Sequence, residues 1–248
     1  MTGSRLNELL NMKRSLRSAS VLAALLLPLS AASVSAGGAC CSVANAGSDK
    51  ATFTLVGASA MNHEVVGPDT YKMDQQALIL KLGKPVGRGF VLQAQAGLPA
   101  ATKLSHGAME LSGKGGLIYG IGIGYKLPSF IEPITLSASA GYSRALGKLD
   151  RDEAGAVDQS FRINEFQFLF IGEAALTSKT ALYGGLRAYS GKNQLEDNKT
   201  GRKFNGDQEG SIAGLAGLRH SLSDNFSLLA DAGFGHTKVL GLGAVFSF

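Results

Sequence analysis

The sequence predicts an all-β fold, a closed antiparallel up-and-down barrel of ten strands, and three observations carry that reading. Large apolar residues alternate with small or polar ones at a period of two in segment after segment, glycine is abundant, and the connections alternate long and short. The sharpest alternation lies at the end of the chain. Leu240, Leu242, Ala244, Phe246 and Phe248 fall on one face, Gly241, Gly243 and Ser247 on the other. A helix would scatter these residues around its circumference, whereas a strand sorts them. A terminal strand must be paired on both edges or leave a row of open hydrogen bonds, and a closed barrel pairs every edge. Eight strands is the alternative count, should strands one and two, or eight and nine, be wrongly divided.

Composition agrees with a single barrel domain over residues 51–248. Glycine supplies 33 of 248 residues, tryptophan is absent and charged residues make up only 17%. That glycine share is about twice the usual one and suits strands that bend and pack closely. The net charge of +5 is concentrated at the N-terminus: Arg5, Lys13, Arg14 and Arg17 oppose only Glu8, which leaves +2 for the rest. Nucleic-acid binding needs a clustered basic face interleaved with aromatics, and the remaining Lys and Arg are dispersed.

Residues 1–36 read as an export signal. Lys13, Arg14 and Arg17 form a basic start, Val21 to Leu29 a short apolar core, and Ser33-Val34-Ser35-Ala36 the small residues of a cleavage site. The core is far shorter than the about 20 residues that span a bilayer. Residues 1–11 precede this pattern, so Met12 is an alternative start. Residues 37–50 form a flexible leader, in which the adjacent Cys40 and Cys41 bond to each other only through a strained ring.

The elements follow in order. Ala51 to Asn62 alternates Phe53, Leu55 and Gly57 against Thr52, Thr54 and Val56. A loop over 63–72 leads to a second strand, Met73 to Leu82, and Gly83 to Gly89 is read as a tight turn. The third strand sets Phe90, Leu92, Ala94, Ala96 and Leu98 against Val91, Gln93, Gln95 and Gly97, and Pro99 is expected to end it. After a loop over 99–114, Leu117, Tyr119, Ile121, Ile123 and Tyr125 oppose Ile118, Gly120, Gly122, Gly124 and Lys126. Ile134 to Ser143 is the fifth strand. A polar loop over 146–158 precedes a sixth, with Phe166, Phe168 and Phe170 opposing Glu165, Gln167, Leu169 and Glu173. Thr180 to Ser190 is the seventh, facing Tyr183, Gly185, Arg187 and Tyr189 inward. A charged loop over 191–208 leads to the last three strands, 210–222, 226–235 and 239–248.

The alternation alone does not say which face meets what. The small-residue set carries Lys81, Lys126, Glu165, Glu173, Arg187, Arg219 and Asp231, too few charges for a solvated exterior and suited to a narrow polar lumen. Tyr119, Tyr125, Tyr142 and Phe248 lie near strand ends on the oily face, as an interfacial girdle would. The expected barrel is therefore transmembrane, with short turns on one side and long loops on the other.

The signal, alternating strands, loop rhythm and terminal Val245-Phe246-Ser247-Phe248 resemble the small outer-membrane β-barrels of Gram-negative bacteria, the broad group of OmpA-type, OmpW-type and opacity-type proteins. The resemblance covers residues 51–248 and singles out no one family. It implies residence in the outer membrane among lipid and lipopolysaccharide, and insertion by the barrel assembly machinery with Phe246 and Phe248 as the assembly signal. No OmpA-like peptidoglycan-binding domain is expected after the barrel.

Sites for chemistry are sparse. Asp231 and His236 are five residues apart, and His220 and Ser221 are adjacent and so point to opposite faces of a strand. The four histidines show no metal-ligand spacing. Gly120-x-Gly122-x-Gly124 opens no helix and so lacks the mechanism of a phosphate loop. No catalytic residue, cofactor or metal is expected. The lumen charges must pair or suffer desolvation, and a Glu and Arg/Lys network around Arg187 is expected to close the middle of the barrel. Lys199, Arg202 and Lys203 are a candidate contact for lipopolysaccharide phosphates. The function expected is that of a monomeric, non-enzymatic structural or surface-interaction barrel, with a narrow porin-like channel as the alternative and a barrel enzyme behind it.

Overall fold

The computed structural model describes residues 50–66, 70–107, 109–113, 115–128, 133–150, 158–235 and 238–248. The export segment, residues 37–49 of the leader, Cys40, Cys41 and His236 lie outside these residues. In chain order the strands are β1 (Thr52–Val66), β2 (Thr70–Gly87), β3 (Phe90–His106), β4 (Met109–Gly113), β5 (Gly116–Lys126), β6 (Ile134–Leu149), β7 (Gln159–Ala175), β8 (Thr180–Asp197), β9 (Lys203–Ser223), β10 (Phe226–Phe234) and β11 (Lys238–Ser247).

All pairings are antiparallel, and β1 joins β11 from Thr52↔Ser247 to Met61↔Lys238, which closes the sheet. The short β4 pairs with Thr102–His106 of β3, while β5 pairs with Phe90–Gly97 below it. These two strands thus occupy one position in the wall, and the barrel is ten strands around. The terminal strand is paired on both edges, by β1 and β10. Phe248 N–H donates to the Ala51 carbonyl at 2.9 Å, sealing the seam at its end.

The period of two sorts the wall as expected. Ile121 is 71% exposed and Phe166 65%, whereas Ile118 and Glu165 are fully buried. Aromatic rings gather toward the short-turn end, where Phe90 stacks on Tyr125 at 4.5 Å and Phe226 on Phe246 at 4.7 Å. Tyr142 and Phe166 meet at 4.9 Å toward the opposite end.

The strands are longer than the sequence reading allowed. The loops expected at 63–72, 99–114 and 191–208 are largely strand, because β1, β2, β3, β8 and β9 run on into them and β4 lies within one, and β6 runs on to Leu149 into the loop expected at 146–158. The 21 residues of β9 reach about 70 Å along the strand and roughly 50 Å along the barrel axis at a 40° tilt, against a hydrocarbon band of about 25 Å. The longer strands therefore stand clear of the membrane by up to about half their length, whereas β5, β10 and β11, of 11, 9 and 10 residues, are only long enough to cross the band. Pro99 does not end β3. The register shifts there, Gln76 pairing with Ala101 and Ala77 with Pro99, and a bulge is where a strand tolerates proline. Gly83 to Pro85 are likewise strand, and the turn tightens to Gly87-Arg88-Gly89, all three with positive φ.

Inward-facing side chains fill the projecting half. Met73, Leu104, Leu111, Leu149, Phe161 and Ile163 are at most 4% exposed and form one cluster with Ile79, Ile118 and Leu169 farther down. The lumen is thus not polar throughout, as the sequence reading had it. Its outer half is a mainly apolar core that also buries Gln75, Thr102 and Asn193, and each large apolar side chain in it contributes about 1.5–3 kcal/mol on burial.

Inward glycines make room for neighbours. The Tyr183 ring lies across Gly217 of β9, the Phe161 ring across Gly147 of β6 and the Asp231 carboxylate across Gly241 of β11, each occupying the space where a Cβ would stand. The abundance of glycine is here a packing device, since a narrow barrel must lay its long side chains flat.

Candidate functional site

Beneath the apolar core lies the group of charges that the sequence singled out. Glu165 on β7 and Arg187 on β8 point inward four residues out of step, since Glu165 pairs with Gly191 and Arg187 with Leu169. The long guanidinium crosses that offset, and Arg187 Nη2 donates to Glu165 Oε1 at 2.5 Å. Both side chains are almost wholly buried, 4% and 1% exposed. Arg187 also lies 4.5 Å from the centre of the Tyr189 ring, which faces the negative π-cloud toward the cation. A pair so desolvated persists because either charge alone would cost several kcal/mol.

Glu173, Arg219 and Asp231 have partners elsewhere. Glu173 lies eight residues farther along β7, about 26 Å by strand rise, where Arg219 of β9 donates to it at 2.5 Å. That pair is 33% and 22% exposed and lies toward the short-turn mouth. Asp231 of β10 accepts a hydrogen bond from Tyr183 Oη at 3.2 Å, and the Lys81 charge acts on the same carboxylate. Lys126 is half-buried at the end of β5, in register with Ser137 of β6. Glu173 with Arg219, and Asp231 with Tyr183, thus make contacts of their own beside the central pair.

The sequence reading assigned no role to the glutamines between these groups. Gln93, Gln95 and Gln167 face a wall of Gly120, Gly122 and Gly141, and with Lys81 they line a luminal cavity of about 40 Å³. That volume holds on the order of three water molecules. Higher up, Gln75 donates to Thr102 Oγ1 at 2.9 Å, fully buried. The alternation placed Gln75, Gln93 and Gln95 on the inward face, but nothing in it told that they would roof a glycine wall.

The candidates for chemistry are dispersed. His220 Nδ1 lies 2.9 Å from Thr180 Oγ1, and Ser221 Oγ lies 3.1 Å from Ser227 Oγ, so the two neighbours bond to different strands near a short turn. Gly120, Gly122 and Gly124 sit inside β5. Among the described residues no three His, Cys, Asp or Glu side chains converge as a metal site.

Lys199 and Arg202 are exposed in the turn between β8 and β9, and Lys203 faces Glu196 at 3.5 Å. Asp197 orders this turn. It accepts from the Thr200 hydroxyl at 2.7 Å and from the Lys199 amide at 2.9 Å, and these bonds hold its carboxyl below the usual range.

No protein-family model and no curated protein matches the sequence. Among solved structures, the outer-membrane protease OmpT of Escherichia coli superposes with a TM-score of 0.52 at 10% identity, over 81% of this chain and 97% of that one. The translocator domain of the autotransporter NalP of Neisseria meningitidis gives 0.49 at 17% identity, over 81% and 89%. Ail, the attachment invasion locus protein of Yersinia pestis, gives 0.38 at 17% identity, over 81% and 100%. With the closed ten-strand sheet and its oily outer face, the likeness to the OmpT barrel identifies the fold: this chain is a small outer-membrane-type β-barrel, and no single family within that group is assigned.

Proposed function

We propose that the protein is a non-enzymatic barrel of the outer membrane, closed to solutes, which acts through the rigid part that projects from the bilayer. The observation that carries this reading is the apolar core above Glu165 and Arg187. Met73, Leu104, Leu111, Leu149, Phe161 and Ile163 fill the outer half of the lumen, and close-packed side chains leave no continuous column of water. A conducting path would have to cross that core and then the buried ion pair.

The projecting strands give the rim a different character from loops. Their inner faces are pinned by the core, while their outer faces carry Lys72, Asp74, Lys103, Ser105 and Glu110, with Lys103 and Glu110 paired at 2.6 Å. A pre-ordered surface loses little conformational entropy on contact, which favours recognition over passage.

Liposome swelling tests the proposal. Vesicles holding the refolded full chain, placed in an isosmotic sugar solution, should swell no faster than protein-free vesicles. Swelling at porin-like rates would overturn it in favour of the channel.

A further inference from the structure

The register of β5 to β9 gathers cations on one sector of the outer face, immediately above the hydrocarbon band. Tyr119, Arg144, Asn164, Lys192 and Asp207 stand directly opposite one another on successive strands. The next row outward holds Leu117, Leu146, Arg162 and Gln194, and the one beyond it Lys148, Ser160 and Glu196. Just below runs Ile121, Tyr142, Phe166 and Ser190, with Tyr119 and Tyr142 marking the interface.

Arg144 is held in place. Its Nε donates to Asn164 Oδ1 at 2.6 Å and its Nη1 lies 3.5 Å from Tyr119 Oη, while Tyr142 Oη donates to the same Asn164 oxygen at 2.9 Å. Among the described residues Lys148, Arg162 and Lys192 have no ion-pair partner. The sector holds Arg144, Lys148, Arg162, Lys192 and Lys203 against Glu196 and Asp207, a surplus of three positive charges.

Two concavities adjoin this row. Above it a cleft of about 470 Å³ is lined by Leu117, Leu146, Lys148, Arg162 and Glu196, the last of which is 3.5 Å from Lys203. Below it an apolar depression of about 1060 Å³ runs over Ala140 and Ala188 between Ile121, Phe166, Phe168 and Ile212. Cationic cleft and oily depression lie on the same wall, in the order of a lipid's head and tail.

We propose that the β5 to β9 wall binds a phosphorylated lipid of the outer leaflet, its phosphates on Arg144, Lys148, Arg162 and Lys192 and its acyl chains in the depression over Ala140 and Ala188. This rests on the outer-membrane reading above. It moves the lipid phosphates away from Lys199 and Arg202. Those residues stand in the turn beyond Asp197, outside both the row and the cleft, whereas Lys148 and Arg162 line the cleft itself.

Native mass spectrometry of the full chain released from detergent tests the site with three probes: bisphosphorylated lipid A, phosphatidylcholine and inorganic phosphate. Lipid A should be retained and the other two not, and R162Q/K192Q should weaken retention about tenfold or more, the loss expected for one charge-assisted contact of about 1.4 kcal/mol. K199Q/R202Q should leave it unchanged. Equal retention of lipid A and phosphatidylcholine, retention of free phosphate alone, or an R162Q/K192Q variant as tight as the parent would overturn the site. Heat-dependent gel mobility, followed in the same samples, reports separately whether each variant is a folded barrel.

Discussion

Replacing Arg187 by alanine would leave a carboxylate stranded in the barrel. Glu165 is 0% exposed and its Oε2 has no hydrogen-bond partner, so the Arg187 contact is what offsets its desolvation. Breaking a buried pair on one side costs about 3–5 kcal/mol. Loss of the guanidinium from the Tyr189 ring places R187A toward the upper end. R219A is the internal control, because the Arg219 and Glu173 side chains are 33% and 22% exposed and solvent screening holds such pairs at about 0–1 kcal/mol. Replacing both buried partners by apolar groups, E165L/R187M, should recover the parent stability to within about 1 kcal/mol or exceed it. The assay is equilibrium urea unfolding in detergent micelles, followed by the heat-dependent shift in gel mobility. An R187A variant within about 1 kcal/mol of the parent would refute the reasoning, since it would mean that water reaches Glu165.

Three further outcomes follow from the same structure. I163A and L149A, at positions 1% and 0% exposed, should each cost about 2–5 kcal/mol in that unfolding assay, with I163V far milder. G217A should cost about 1–3 kcal/mol by forcing the Tyr183 ring off the β9 backbone, and the penalty should vanish when Tyr183 is already alanine. T200A should raise the Asp197 pKa toward the ordinary carboxylate value, read by NMR titration. Because the folded-state pKa of Asp197 is depressed, its contribution to turn order is present above the usual carboxylate range and is lost as pH falls through the folded value.

The transmembrane barrel was legible because hydrocarbon on one side and a cramped interior on the other give each strand the strongest alternation a sequence can carry. The projecting half was hidden by a change in the meaning of the faces. Across Ser160 to Glu165 the parity never breaks: Phe161, Ile163 and Glu165 point inward, and Ser160 and Arg162 outward. Above the membrane the outward face meets water, so it turns polar while the inward face turns apolar. At Pro99 the bulge adds one residue and reverses the parity as well, so Thr102 and Leu104 succeed Gly97 on the inner side. Cross-strand placement was the other gap. Glu165 and Arg187 were both read as inward, but their contact depends on a four-residue offset in register. The row of Arg144, Asn164 and Lys192 exists only once three strands are aligned.

The absence of tryptophan allows a direct test of the central claim, that the wall is oily outside and the projecting interior dry. Single substitutions F168W, at a position 51% exposed on the outer face, and F161W, at one 4% exposed inside, place one fluorophore on each side in lipid vesicles. F168W should be quenched by brominated lipid, and F161W neither by brominated lipid nor by aqueous acrylamide. Acrylamide quenching of F161W as efficient as that of free tryptophan would contradict the account, because it would place bulk water where the structure has a packed core.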